Sequence, residues 1–180
     1  MKPVVAMLAL LSTGLATGAG IASPGPAPEF THRQANEWIN SGPLTLASLR
    51  GRVVLVEFWT YGCSNCRNTL PWLKAAHARY LDQGLVVVSV HSPEFPQERD
   101  AGNVRAAVGR LGISYPVMLD NDFTYWKAFE NRYWPAFYLI DRQGRVQASA
   151  FGELHAGTVR GDGFEKTIQR LLAEERLTPR

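Results

Sequence analysis

The chain has 180 residues, 46% of them hydrophobic, which is enough for one domain with a sizeable core. Its formal net charge is +3, and the 19 lysines and arginines are scattered without blocks. That distribution offers neither a nucleic-acid stripe nor a polybasic membrane patch, so no nucleic-acid partner is expected.

Residues 1–23 read as a secretory signal peptide. Lys2 precedes VVAMLALLSTGLATGAGIA, an apolar run diluted by Gly, Ser and Thr that leads to the small residues Ala22 and Ser23. An N-terminal membrane anchor is the competing reading, because Val4 to Ala22 approaches the roughly 20 residues that a spanning helix needs. Under either reading the folded part faces an extracytoplasmic space, where disulfides are chemically permitted. Residues 24–28, PGPAP, form a proline-rich linker, and a single domain is expected over 29–180.

Strand and helix signals then alternate. NSGPLTLASLRGR, residues 40–52, reads as a turn and short edge element leading into VVLVEFW, residues 53–59, a continuous apolar run expected to be a strand buried on both faces. In RNTLPWLKAAHARYL, Leu70, Leu73, Ala76 and Tyr80 recur at helical spacing, with Gly84 near the stop. LVVVSVH, 85–91, is a second buried strand. Pro96 opens an amphipathic helix with Val104, Val108 and Leu111 on one face. YPVMLD and a short helix, DFTYWKAF, follow. FYLID and RVQASAF, separated by Arg142, Gln143 and Gly144, form a hairpin, and FEKTIQRLLAEE closes the chain as a helix. This order implies an α/β layer fold with a mixed sheet.

The only two cysteines, Cys63 and Cys66, fall on the connection between the first long strand and the first long helix. Exposed N–H groups and the dipole at a helix N-terminus favour an anion, so the Cys63 thiolate, the nucleophilic form, is favoured there. Cys66, one turn further in, is placed to attack a mixed disulfide formed by Cys63. Thiol–disulfide exchange therefore suits the pair. Zinc needs about four ligands, and the histidines at 32, 77, 91 and 155 show no paired spacing that completes a set. Haem attachment needs His after the second cysteine, where this chain has Arg67. A purely structural disulfide stays open, although so small a ring removes little entropy from the unfolded chain. Glu57 interrupts the apolar strand, where an unpaired carboxylate is costly to bury and its pKa should rise.

FWTYGCSNCRNTLPWL resembles the active-site segment of the thioredoxin superfamily, in its TlpA-like extracytoplasmic branch. WINSGPLTLASLRGRVVLVEFWTYGCSNC, VHSPEF, NVRAAVGRLGISYPVMLDND and YWPAFYLID together resemble the thioredoxin-like domain of DipZ-type cytochrome c biogenesis proteins. The resemblance implies a thioredoxin-like fold, a central mixed sheet flanked by helices. Cys63 matches the attacking cysteine and Cys66 the resolving one. Pro71 matches the proline that kinks the active-site helix. Pro135 matches the family's cis-proline, and Trp134 before it would line the substrate groove. Glu57 matches a buried acid that relays protons to and from the second cysteine. Glu94 also fits the family pattern as an acid near the site, and Trp59 matches a tryptophan beneath it.

By resemblance the chain is an exported oxidoreductase that reduces disulfides in envelope proteins or in cytochrome c maturation. It needs no cofactor beyond the Cys63–Cys66 couple, and a membrane thiol carrier of the DsbD or CcdA type recharges it. Ser64, expected to hydrogen-bond a sulfur, and the longer stretch GELHAGTVRGDG, residues 152–163, depart from the family pattern. Two other functions compete. TYGC fits the threonine-to-cysteine spacing of peroxiredoxin-type peroxidases, although Val56 stands where that pattern wants proline; a metal-binding module on the same fold is the second, with CxxC spacing against it.

Overall fold

All seven residues of VVLVEFW are buried, as a strand covered on both faces requires, and they form β2, Val53–Trp59. The computed structural model describes residues 25–174, so the expected signal or anchor lies outside the described residues. LVVVSVH forms β3, Leu85–His91, paired in parallel with β2 along its whole length. Around these two run β1, Trp38–Ile39; β4, Val117–Leu119; β5, Ala136–Ile140; and β6, Val146–Phe151. The spatial order is β1-β4-β3-β2-β5-β6. β4 runs parallel to β3, while β1, β5 and β6 are antiparallel to their neighbours, so the sheet is mixed.

Strand alternation divides the core in two. Leu55, Trp59, Val87 and Leu139 face one side, where they pack with the helices α1, Ser64–Tyr80, α2, Ala101–Arg110, and α4, Val159–Glu174. Val54, Val56, Phe58 and Val90 face the other, against Phe30, Trp38 and the short helix α3, Thr124–Ala128. On α1 the expected stripe Leu70, Leu73, Ala76 and Tyr80 is buried, and Trp72 joins it. Leu81–Gln83 add a 3-10 turn that ends at Gly84, whose φ of 106° suits glycine.

Local chemistry moved several boundaries. The edge strand is Trp38–Ile39, just before the stretch expected to supply it. Pro96 opens only a 3-10 turn over Pro96–Arg99; α2 starts at Ala101, because the Asp100 side chain accepts the Asn103 N–H at 2.8 Å and caps it. Within the proline-rich stretch expected as a linker, Ala27 N–H donates to Gly144 O at 2.9 Å, and Gly25 O accepts from Val146 N–H at 2.9 Å. Those residues lie along the β5–β6 hairpin. In its turn, Asp141 Oδ1 accepts the N–H groups of Gln143 and Arg145, each at 2.9 Å.

Candidate active site

β2 ends at Trp59 and α1 begins at Ser64, with Cys63 as its N-cap. Cys63 and Cys66 are joined as a disulfide with Cα atoms 5.3 Å apart. Cys63 is half-buried, whereas Cys66 is 2% exposed and belongs to the core. One sulfur is therefore open to a partner and the other is shielded, the division of labour that exchange chemistry needs. Cys66 N–H points at Cys63 Sγ at 3.2 Å. That N–H lies at the helix end where a Cys63 thiolate would gather its stabilisation. Ser64 is exposed, and no hydrogen bond from its hydroxyl reaches either sulfur among the described residues, so the expected contact is absent. Pro71 lies inside α1 and faces solvent.

Glu57 is 1% exposed. It lies on the same sheet face as Leu55 and Trp59, in the layer that holds Cys66, and its carboxylate accepts a hydrogen bond from the Ser89 hydroxyl. Burial pushes its pKa up to about 7, against a smaller lowering by Ser89. A carboxyl of that pKa gives and takes protons at neutral pH.

The Trp134–Pro135 peptide bond is cis. The register Phe58↔Ala136 sets Pro135 at the level where β2 ends. Trp134 is half-buried; its indole N–H donates to Ser92 O at 3.0 Å, and its ring centre is 4.3 Å from that of Trp126. Tyr133, which precedes Trp134, and Phe95, whose ring would lie 3.9 Å from a Cβ at Gly62, are among the exposed large apolar side chains.

Glu94 is exposed, and it is Glu98 that reaches the cysteine loop. The buried Glu98 carboxylate accepts the Gly62 N–H at 2.9 Å. Burial pushes its pKa up, but hydrogen bonds from Thr60 and from the Phe95, Glu94 and Gly62 N–H groups outweigh that and hold it below the ordinary carboxylate range. The sequence offered two acids in PEFPQE and no means of choosing between them. His91 is also buried beside the loop, stacked on Tyr61 with ring centres 5.7 Å apart, its Nε2 3.3 Å from Thr60 Oγ1. Burial lowers its pKa to about 4, partly offset by the charge of Glu98, so it is neutral at pH 7.

Among the described residues one group has metal-ligand chemistry: His32, Asp120 and Asp122, with ligand atoms within 4.8 Å of one another. Asp120 already accepts from Tyr125 N–H at 3.0 Å, Trp126 N–H at 2.9 Å and Ser92 Oγ at 3.1 Å, so it caps α3. It lies outside the cysteine site.

The model of the AhpC/TSA family matches residues 25–149. The chain belongs to that family. It is 44% identical over 138 residues to the protein DipZ of Mycobacterium bovis, covering 75% of this chain and 20% of the relative, so it spans about a fifth of DipZ. It is 33% identical over 150 residues to the thiol-disulfide oxidoreductase YkuV of Bacillus subtilis, covering 83% of this chain and 95% of that protein. A DsbE-type thiol:disulfide interchange protein of Chlorobium tepidum superposes with a TM-score of 0.71 at 24% identity, over 85% of this chain and 99% of the other. The fold is thioredoxin-like, as the cysteine segment led one to expect.

Proposed function

We propose that this protein is a thiol:disulfide oxidoreductase that reduces disulfides in exported proteins, in envelope protein maintenance or cytochrome c maturation. The observation that carries the reading is the pairing of a half-buried Cys63 at a helix N-terminus with a core-buried Cys66. Likeness to YkuV and DipZ supports it.

In the reduced protein, the Cys63 thiolate attacks a substrate disulfide. A bond forms between Cys63 and one substrate sulfur, and the other leaves as a thiolate that takes a proton. Glu57 removes the proton of Cys66, which then attacks the Cys63 sulfur. The second substrate thiol is released, and the chain is left with the Cys63–Cys66 disulfide. Trp134 and Pro135 line the surface on which the substrate strand lies. The cysteines carry both electrons, so no cofactor is required, and a membrane thiol carrier of the DsbD or CcdA type returns the pair to the dithiol. The apolar run at the N-terminus supports an extracytoplasmic location.

Replacing Cys66 with serine tests the reading. Exposure to a protein disulfide should trap a mixed disulfide on Cys63 that dithiothreitol releases. Failure to trap any adduct, with rapid hydroperoxide consumption by the wild type, would instead support the peroxidase reading of TYGC; stoichiometric metal uptake by the reduced protein would support the binding-module reading.

A further inference from the structure

Glu98 sits in the 3-10 turn Pro96–Arg99 and is 1% exposed. Its Oε1 accepts the Gly62 N–H at 2.9 Å, and its Oε2 accepts the N–H groups of Glu94 at 2.7 Å and Phe95 at 2.9 Å. Gly62 immediately precedes Cys63. On the other side of the loop, Arg67 Nη1 donates to the carbonyls of Tyr61 at 2.9 Å and Gly62 at 3.1 Å. An anion thus holds the N–H of the residue before the nucleophile, and a cation holds its C=O. The φ of Gly62 is not in the left-handed region, yet a Cβ there would overlap Glu98 Oε1. Glycine at 62 serves the approach of this carboxylate rather than the backbone.

We propose that Glu98 is a positioning residue for Cys63: it fixes the loop that presents the nucleophile and sets a permanent negative charge beside it, making the Cys63–Cys66 couple more reducing. This rests on the exchange reading above. Reduction breaks the Cys63–Cys66 bond and takes two electrons from a donor dithiol, which becomes a disulfide. One donor proton goes to Cys66; the other goes to Cys63 or, where Cys63 stays a thiolate, to solvent. An anion next to Cys63 disfavours that thiolate and opposes the helix N-terminus, so the reduced form gains less and the equilibrium moves toward the disulfide. The other groups facing the loop do not replace this charge. Arg67 is a cation, His91 is neutral at pH 7, and the Glu94 side chain is in solvent.

The test compares full-length wild type, Glu98→Gln and Glu94→Gln. Each is equilibrated with glutathione, and the Cys63 thiolate of the reduced form is titrated by its ultraviolet absorbance. Glu98→Gln keeps the shape and an oxygen acceptor but removes the charge. It should lower the Cys63 pKa and shift the equilibrium constant toward the dithiol by about tenfold, which corresponds to about 30 mV. Glu94→Gln should shift it less than about twofold, since exposed charges are screened. Should Glu98→Gln fail to fold, Gly62→Ala, which displaces the carboxylate without deleting it, should move both quantities in the same direction. A folded Glu98→Gln with neither quantity moved, an equal shift in Glu94→Gln, or an unmoved Gly62→Ala overturns the role of Glu98. A wild type that exchanges with glutathione not at all overturns the exchange reading together with it.

Discussion

Replacing Glu57 with glutamine should change how stability depends on pH, and the size of the effect follows from the burial of one carboxyl. In the unfolded chain its pKa is near 4.5 and in the folded protein about 7. Between those values the native state binds more protons than the unfolded one, so stability falls as pH rises and levels off above the folded pKa. A rise from 4.5 to about 7, at 1.36 kcal/mol for each tenfold change in proton affinity, amounts to about 3 kcal/mol. Glutamine does not titrate, and its carbonyl still accepts from Ser89 Oγ. Its stability relative to wild type should therefore rise by about 3 kcal/mol between pH 4.5 and pH 8, whatever the fixed cost of the buried amide. Urea unfolding of both oxidised proteins at several pH values measures this, since every other titrating group is common to the two and cancels. Parallel curves for the two proteins would refute the argument, for they would mean that Glu57 is ionised in the native state at neutral pH.

The same variant should still make the first attack through Cys63 but complete turnover more slowly, an effect read by rapid-mixing kinetics of mixed-disulfide formation and decay. Thr69→Val should cost about 1–3 kcal/mol in denaturant unfolding, because the buried Leu154 N–H, 2.9 Å from Thr69 Oγ1, loses its acceptor. Trp134→Ala should raise KM for a protein disulfide while leaving reduction of the pair by dithiothreitol within about twofold; an equal loss in both assays would assign Trp134 to packing alone. Leu73→Ala, at a fully buried position on the inner face of the cysteine helix, should cost about 2–5 kcal/mol of stability.

The two long parallel strands were readable because seven-residue apolar runs can satisfy their side chains only between two packed layers. The cysteine helix was readable from its stripe, and Glu57 stood out as the one charge inside such a run. What escaped the sequence depended on contacts between distant segments. Glu98 lies 36 residues from the Gly62 N–H that it holds, and only the turn at Pro96 turns it, rather than Glu94, toward the loop. The edge strand Trp38–Ile39 is two residues long, too short for any periodicity. The packing of Gly25 and Ala27 on the hairpin comes from backbone bonds that side-chain composition does not encode. Asp120 has the same character: its partners, Ser92 just after β3 and Tyr125 on α3, meet it only after the sheet has formed.

The Cys63–Cys66 pair exchanges electrons as a reductant under the proposed function. The most direct test is the reduction potential of the couple, measured by equilibration with glutathione or dithiothreitol and alkylation of the free thiols. A single two-electron transition near or below about −220 mV is predicted, on the reducing side of related thiol–disulfide proteins. A value near −120 mV would instead make the protein an oxidant that installs disulfides, which contradicts a reductive role for Cys63 and Cys66.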